Sequence, residues 1–464
     1  MRIHSFRGGV HPKENKEPTR EKALRPFLPK GDLVFPLGQH IGKPAVPVVN
    51  RGDEVLAGQL IAKADGFVSA NIFSSCSGKV KGIERRPIGA GNMADCIVIE
   101  NDGMFTPAPG VGEKSAWEDL DAKEILAKIQ DAGIVGMGGA GFPTHVKLAP
   151  KNPEEIRYFI ANGAECEPGI TCDDRLMREH PEVIIEGMKI VLKLFPNASG
   201  VIAVETNKPE ALAALEAAAA QESRISMLGL KVKYPQGGER NLVHAVTGSY
   251  LGSGELPSGL GCVVDNIATI AAIYNAVCLN TPLIERGVTV TGDAAGAPDN
   301  FNARLGTSVQ ELLDAAGGVD PAAKKVIMGG PMMGTALSVL DVPLVKTSNA
   351  LTCMMNDPVE EAQAIQTNCI HCGRCSRACP MGLIPQAMAD AAKRKDFDRY
   401  IRLHGLDCIS CGCCTYTCPA KRPLTLTFKE TKPLAIAWDK AVKAEKEAAA
   451  AKEQAAVTGK GEKK

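Results

Sequence analysis

Apolar runs alternate with amphipathic stretches through the middle of the chain. Residues 156–163 (IRYFIANG), 199–205 (SGVIAVE) and 230–234 have the apolar content of buried strands. Residues 183–195 and 208–221 carry apolar positions at helical spacing. Strands that alternate with helices of this length predict an α/β sheet with helices packed against it.

The flanking regions follow other patterns. Residues 32–100 contain short β-runs separated by glycine turns, and residues 384–403 read as one helix. The longest apolar run, residues 268–279, is too short to span a bilayer. The N-terminal sequence MRIHSFRGGVHP has no apolar core of the kind found in secretory signals. Residues 433–464 begin as a helix and predict a disordered end.

Composition narrows the possible compartment and partners. The chain has 464 residues, of which 45% are hydrophobic and 23% are charged, as in globular proteins. It has 53 Lys and Arg against 53 Asp and Glu, so no charge excess indicates a nucleic-acid partner. Because no secretory signal is present, we expect a cytoplasmic protein. Its 16 cysteines are then not expected to form a disulfide framework.

Nine of these cysteines lie in two nearly identical segments, CIHCGRCSRACP and CISCGCCTYTCP. Each segment has the spacing C-x2-C-x2-C-x3-C-P, which holds [4Fe–4S] clusters, and in two-cluster ferredoxins the fourth cysteine serves the other cluster. We therefore expect two clusters with exchanged ligands. One set is Cys369, Cys372, Cys375 and Cys418, and the other is Cys408, Cys411, Cys414 and Cys379.

Zinc is the alternative metal, but it prefers C-x-x-C pairs separated by a longer loop. Cys413 lies inside the second run and is interpreted as a small packing residue. The presence of two clusters would imply electron transfer, which directs attention to a two-electron cofactor elsewhere in the chain.

The stretch GIVGMGGAGFPTHVK, residues 133–147, is the richest in glycine. Its glycines allow a backbone to approach a ligand and to point N–H groups at a phosphate, and Lys147 is expected at the start of a helix. The Walker A pattern is absent. A structural turn would explain the glycines equally well. However, Asn162, Glu165 and Glu167 follow a predicted strand, where α/β proteins bind ligands.

Taken together, these motifs resemble the C subunit of Rnf complexes, which are ion-translocating ferredoxin:NAD+ oxidoreductases. The resemblance covers nearly the whole chain, from FRGGVHPKENK through PLGQHIGKPAVPVV and ADGFVSA to the two cysteine runs. The glycine loop and the sequence NGAECEP also resemble the NADH-binding flavoprotein subunit of respiratory complex I.

The resemblance implies FMN and NAD(H) as cofactors, besides the two clusters. The residues implied to hold the FMN phosphate and ring edge are Gly136, Gly138, Gly139, Gly141 and Lys147. Those implied to line the flavin are Asn162, Glu165 and Asn266. Phe142 would stack on the nicotinamide or adenine, with Glu167 and Glu239 nearby. No residue is assigned a catalytic role of its own.

Two positions depart from the complex I pattern. Met137 stands where the relative has arginine, and Arg240 replaces the second of two acidic residues after Gly238. A cation at position 240 could accept a 2′-phosphate, which leaves NADPH open as an alternative to NADH.

The expected architecture is an α/β multidomain chain. An arm (1–30) precedes a β-rich barrel-sandwich domain of lipoyl type (31–101), an α/β FMN- and NADH-binding domain (118–284), a β-grasp, SLBB-like module (285–346), a helical two-cluster ferredoxin domain (347–432) and a tail (433–464). Residues 64–68, the expected tip of the lipoyl-like hairpin, contain no lysine, so we expect docking there rather than modification of the adjacent Lys63.

The resemblance implies a peripheral subunit on the cytoplasmic face of the inner membrane. Its partners would be the other subunits of the Rnf complex and, through them, ferredoxin. Two alternatives remain open from sequence. One is a cobalamin reductase of bacterial microcompartments with the same modules, and the other is an electron-transfer subunit whose flavin site has decayed.

Overall fold

A computed structural model describes residues 3–458, with side chains as far as residue 449. The chain forms two compact units. The first contains the residues up to Phe6 together with His11–Asp357, and the second contains Arg7–Val10 together with the residues from Pro358 onward. The predicted disordered end lies partly outside the described residues, because the last helix, Leu424–Thr458, continues to residue 458.

A five-stranded parallel sheet forms the centre of the first unit. Its strands, in spatial order, are Ile3–His4, Ile225–Leu230, Ser199–Glu205, Tyr158–Gly163 and Cys262–Asn266. The helices of this region are Ala122–Asp131, Thr144–Lys147, Cys172–Glu179, Pro181–Leu194, Pro209–Ala218, Glu239–Thr247 and Ile267–Cys278. Parallel strands need crossover connections. The largely buried helix Pro181–Leu194 supplies one between Tyr158–Gly163 and Ser199–Glu205, and apolar helices of this kind also cover the sheet.

Two small antiparallel sheets form the barrel-sandwich region. One contains Leu33–Pro36, Asn92–Asn101, Gly78–Ile88 and Glu54–Val55, and the other contains Val46–Pro47, Leu60–Lys63 and Ile72–Phe73. Alternating side chains such as Leu33, Phe35 and Ile61 fill the core between them. The hairpin tip between the last two strands of the second sheet carries Phe67, which is 75% exposed.

A mixed, six-stranded sheet forms the β-grasp region, which follows the α/β region in the chain. Its order is Thr335–Ala336, Lys325–Met328, Ala350–Met354, Glu285–Thr291, Asp299–Arg304 and Leu24–Phe27. The helix Val309–Ala315 packs against it. The buried Lys346 donates from Nζ to the carbonyls of Asn71, at 2.6 Å, and Gly133, at 2.7 Å. This lysine therefore joins the barrel-sandwich region to the start of the glycine loop.

The second unit is helical. Its helices are Pro358–Ala364, Arg374–Ala378, Pro385–Lys393, Phe397–Arg402, Cys413–Tyr416 and Leu424–Thr458. Their core contains Met388, Tyr400, Leu424 and Phe428. From the N-terminal segment of this unit, Gly9 donates its N–H to the carbonyl of Ala378 at 2.8 Å.

Two predicted elements were placed wrongly. The strand expected at 230–234 is Ile225–Leu230, and the chain then leaves the sheet through Lys231 and Pro235, which has no N–H for a ladder. The single helix expected at 384–403 is two helices. They are separated at Lys395, whose φ is 54°, and Asp396 caps the second by accepting the Arg399 N–H at 2.9 Å.

The N-terminal arm contributes one strand to each of the two large sheets, Ile3–His4 to the central sheet and Leu24–Phe27 to the β-grasp sheet. The buried Lys16 lies between these two strands in the sequence. Its Nζ donates to the carbonyls of Glu165 (2.9 Å), Glu167 (3.2 Å) and Ile170, and lies 3.7 Å from the Glu165 carboxylate. One side chain of the arm therefore holds the loop that follows the strand Tyr158–Gly163.

Replacing Lys16 should destabilise the first unit strongly. In Lys16→Met, three buried carbonyls lose their donor and the Glu165 carboxyl group loses the neighbouring cation, which together cost about 3 to 5 kcal/mol. In calorimetry, we expect the midpoint temperature for unfolding of the first unit to be well below that of the wild type. The matched control is Lys13→Met, which removes an exposed lysine of the same arm and should leave the transition unchanged. Equal transitions for the two variants would contradict this role.

Candidate functional site

The central sheet has a topological switch point beside the strand Tyr158–Gly163. From this strand the chain proceeds to Ser199–Glu205 on one side and later returns to Cys262–Asn266 on the other. Asn162 and Asn266 are partners in the register at the carboxyl edge. Ligands of open α/β sheets bind in the crevice at such a point. The candidate site is therefore at this edge.

The glycine loop lies over this edge. It is closed by a bridge between Val135 and Pro143, and Gly136 donates its N–H to the Phe142 carbonyl at 2.8 Å. A Cβ on Gly138 would lie 2.8 Å from the Cβ of Asn266, so only glycine allows this approach. A Cβ on Gly139 would meet nothing within 4 Å, so its backbone borders open space. The loop therefore combines close packing with a face open to a ligand.

The far end of the loop is held by the barrel-sandwich region. Gly141 has a φ of 71°, and its carbonyl accepts the N–H of Ile41 at 3.1 Å. A Cβ on Gly141 would lie 3.2 Å from the Gln39 carbonyl oxygen. The positive φ and the close backbone both require glycine here. The neighbouring Phe142 is half-buried.

Lys147 ends the single-turn helix Thr144–Lys147, so the prediction that it lies at a helix start was wrong. The turn stops there because Ala149 and Pro150 follow, and proline disfavours helix in the residue before it. The Lys147 Nζ donates to the Val264 carbonyl at 2.8 Å and to Glu239 Oε1 at 3.1 Å.

The charge of Lys147 is maintained by two acids. Burial lowers the pKa of Lys147, but the Asp265 and Glu239 carboxylates outweigh burial and raise that pKa above its usual value. Burial raises the pKa of Asp265, opposed chiefly by Lys147. The Glu239 side chain remains 43% exposed. A fixed cation with an accessible acid therefore borders the crevice.

The two asparagines are fixed by the protein itself. Asn162 donates from Nδ2 to the Gly237 carbonyl at 2.9 Å and accepts the Ala164 N–H at 3.2 Å. Asn266 caps the helix Ile267–Cys278 by accepting the Ala268 N–H at 2.9 Å, and donates to Asp173 at 2.8 Å. Asn266 lies against Gly138, whereas Asn162 supports the Gly237 turn.

Glu165 serves a structural purpose that its sequence position does not reveal. Its backbone has a φ of 45°, and its buried carboxylate accepts the N–H groups of Asp173 (2.7 Å) and Asp174 (3.3 Å) at the start of a helix. Burial raises the pKa of Glu165 to about 8, against the opposing effect of Lys16. The carboxylate is thus committed to the helix Cys172–Glu179 and to Lys16.

Glu167 is held by a loop of the β-grasp region. Its carboxylate accepts the N–H groups of Met332 (3.1 Å) and Met333 (3.0 Å), with the Tyr234 hydroxyl at 3.5 Å. Burial raises the pKa of Glu167 to about 7. A Cβ on Gly330 would lie 2.2 Å from its Oε2, so glycine lets this loop close over the acid.

Arg240 has a different role from the one considered from sequence. Its guanidinium donates to the carbonyls of Leu251 (2.5 Å), Gly252 (2.6 Å) and Glu255 (3.2 Å). Arg240 therefore holds the loop after the helix Glu239–Thr247, and three of its five N–H donors already serve carbonyls.

Several buried polar atoms in the glycine loop or next to motif positions of the sheet edge have no partner among the described residues. They are Thr144 Oγ1, Asp265 Oδ2, and both Gln236 amide atoms. Buried polar groups are normally paired, and each exception requires an explanation. A polar ligand in the crevice would supply one. Sequence reasoning missed these residues, although Gln236 and Asp265 directly precede motif positions 237 and 266.

The second unit contains two cavities lined by cysteines. The first cavity is lined by Cys369, Cys372, Cys375 and Cys418. The second cavity is lined by Cys379, Cys408, Cys411 and Cys414. Each group combines three cysteines of one run with the fourth of the other. Four thiols around an otherwise largely apolar cavity are the donor set of a [4Fe–4S] cluster.

The two cysteine runs have the same local backbone conformation. His371 and Ser410 both have positive φ, 55° and 54°, and each donates its N–H to the sulfur of the first cysteine in its run at 3.4 Å. Such N–H···S bonds stabilise thiolate ligands. Cys413 is fully buried, lines the second cavity and interacts with Cys411.

No helix in the described part of the chain has the length and apolar character that crossing a bilayer requires.

Family models match all four regions of the chain. They are an RnfC barrel sandwich hybrid domain (residues 4–104), a Nuo51 FMN-binding domain (129–275), an SLBB domain (288–336) and a 4Fe-4S dicluster domain (368–421). The expected fold class, with its barrel-sandwich, α/β, β-grasp and ferredoxin components, is confirmed. These matches give no support to the cobalamin reductase alternative.

Whole-chain comparisons agree. The chain is 44% identical to the C subunit of the proton-translocating ferredoxin:NAD(+) oxidoreductase complex of Clostridium ljungdahlii, over 83% of this chain and 84% of that protein. It is 41% identical to the Na(+)-translocating counterpart of Acetobacterium woodii, over 92% and 96%. Identity to the C subunit of the ion-translocating oxidoreductase complex of Pseudomonas aeruginosa is 40%, over 83% and 50%. The chain belongs to the RnfC family, the C subunits of ion-translocating ferredoxin:NAD(+) oxidoreductase complexes.

Proposed function

We propose that this chain passes electrons between NAD(H) and one-electron carriers, using FMN and two [4Fe–4S] clusters. The observation that carries the proposal is the combination, in one chain, of a glycine-loop crevice at a switch point with two four-cysteine cavities. Nicotinamide moves two electrons and iron–sulfur clusters move one, so a chain that serves both needs a cofactor capable of each.

FMN fits the crevice at the switch point. Gly136, Gly138, Gly139 and Gly141 would offer backbone to the ligand, and Lys147 would supply the cation for its phosphate. Bound FMN would exchange a hydride with nicotinamide and single electrons with clusters. Asn266, beneath Gly138, would support the loop, whereas Glu165 would act through the shape of the loop that Lys16 holds.

NAD(H) is the proposed second ligand. Glu239 is the accessible acid at the crevice and would accept hydrogen bonds from ribose hydroxyls. Phe142 would stack on a ring of the dinucleotide, and Glu167 would stand nearby, behind the loop that contains Met332 and Met333. We favour NADH over NADPH, because Arg240 is occupied by loop carbonyls.

The proposed cluster ligands are the cysteines that line each cavity. Cys369, Cys372, Cys375 and Cys418 would hold one cluster, and Cys379, Cys408, Cys411 and Cys414 the other. The proposed location is peripheral, on the cytoplasmic face of the inner membrane. The proposed partners are the other subunits of the complex, with ferredoxin reached through them, because relatives are named as the C subunit of ferredoxin:NAD(+) oxidoreductase complexes.

Removal of the Lys147 cation should weaken flavin binding without affecting iron. In Lys147→Ala, the loss of one charge-assisted hydrogen bond, about 1.5 to 3 kcal/mol, should raise the FMN dissociation constant roughly 10- to 100-fold. Fluorescence titration of apoprotein with FMN measures this, and iron analysis provides the internal check. The matched control is Lys151→Ala, an exposed lysine of the next loop, which should bind FMN like wild type. Unchanged affinity in Lys147→Ala would place the flavin elsewhere.

The exchange of the fourth cysteine can be tested by single substitutions. In Cys418→Ser, we expect the cluster held by Cys369, Cys372 and Cys375 to be altered or lost, because one thiolate ligand is replaced by a poorer donor. Electron paramagnetic resonance of the reduced protein should then retain the signal of the other cluster. Cys413→Ser is the matched control and should retain both. If Cys418→Ser instead alters the cluster of its own run, the exchange is wrong.

A further inference from the structure

The two cysteine runs lie in segments without acidic residues. No Asp or Glu occurs between Glu361 and Asp390, or between Asp407 and Glu430. The basic residues of these segments are Arg374, Arg377, Lys421, Arg422 and Lys429. A chain with no overall net charge therefore concentrates positive charge around its cysteine runs.

This charge lies at the mouth of the first cavity. Arg422 lines that cavity, and the exposed Lys421 is adjacent to it in sequence. Gly373 also lines the cavity, and a Cβ on Gly373 would be 3.4 Å from the guanidinium of the exposed Arg377. Within the described residues, the arginines of this unit that form ion pairs are Arg394 and Arg399, both with Asp390. The cations at the mouth are therefore not neutralised by carboxylates.

The cysteines of the first cavity are more exposed than those of the second. Cys372 is exposed, and the adjacent Ile370, which lines the cavity, is 64% exposed. In the second cavity Cys411 and Cys414 are buried. We define the basic rim as Arg374, Arg377, Lys421, Arg422 and Ile370. Ile370 and Arg422 line the cavity whose cysteines are the more exposed, and the other three residues are close to its lining residues in sequence or space.

A simpler explanation would be that these cations stabilise the negative charge of a bound cluster. However, exposed charges are strongly screened by water and salt, so they contribute little to a site beneath them. At the second cavity a cation is used differently, since Lys432 donates from Nζ to the carbonyl of Cys408 at 2.9 Å. The outward cations of the rim are better placed to meet a partner than to stabilise the site.

We propose that the basic rim is the docking surface for an acidic protein that carries one electron at a time, and that the first cavity is where electrons enter or leave the chain. The inference rests on the proposed function, since it takes the first cavity to hold a cluster. Opposite charges would steer the encounter and orient the partner. Ile370 would supply an apolar, water-excluding contact within the interface.

The direct test is binding of an acidic plant-type [2Fe–2S] ferredoxin, used as a probe for any acidic one-electron protein and immobilised on a sensor, to the full chain prepared without oxygen. No binding to wild type at low salt would overturn the docking surface. In Arg377→Glu/Lys421→Glu we expect affinity at low salt to fall at least about tenfold, and the difference from wild type to shrink as salt is raised. A basic cytochrome c as the probe should show the opposite change. The neutral variant Arg377→Gln/Lys421→Gln should show a smaller loss, roughly threefold, and covers the case in which charge reversal disturbs folding.

The matched control is Lys393→Glu/Lys440→Glu, which reverses two exposed lysines of the same unit outside the rim and should bind ferredoxin like wild type. Iron content is measured on every variant. Normal iron with undiminished ferredoxin binding in both rim variants overturns the docking surface but leaves the proposed function standing. A preparation of wild type without clusters would instead refute the proposed function. If rim reversal weakens binding to anionic phospholipid vesicles but not to ferredoxin, the surface is a membrane contact and the proposal is wrong.

Discussion

The candidate crevice at the switch point depends on one buried side chain, Lys16. Lys16 donates to three carbonyls of the loop from Glu165 to Ile170 and lies beside the Glu165 carboxylate. The loop needs such a donor because Glu165 takes a positive φ, and buried carbonyls without partners cost free energy. Once the loop is held, Glu165 can cap one helix and Glu167 can reach the β-grasp region. The N-terminal arm therefore helps to shape the site by holding this loop.

The glutamates near the crevice differ in whether backbone N–H groups already bind their carboxylates. Glu165 and Glu167 both accept backbone N–H groups, and burial raises the pKa of each. Glu239, beside Lys147, stays partly exposed. Glu167 is therefore used to hold the β-grasp loop, whereas Glu239 keeps part of its carboxylate accessible.

Motif spacing and the periodicity of apolar residues predicted the features that depend on short stretches of sequence. The cysteine spacing predicted the two groups of four cysteines that line the cavities, each with three cysteines of one run and the fourth of the other. Strand and helix periods predicted two of the five strands of the central sheet, Tyr158–Gly163 and Ser199–Glu205, and the helices that follow them, Pro181–Leu194 and Pro209–Ala218. The partners of Lys16, Arg240 and Glu167 could not be predicted, because they depend on tertiary contacts between segments whose sequences carry no pairing signal. The strand at 225–230 was misplaced because lysine and proline follow it within an apolar stretch.

The central claim is that a flavin site and two iron–sulfur sites coexist in this chain. The most direct measurement is the iron, zinc and flavin content of the wild-type chain purified without oxygen. The account predicts one FMN and about eight irons per chain, since each four-cysteine set holds a four-iron cluster. About four irons, zinc in place of iron, or a chain that cannot be loaded with FMN would contradict it.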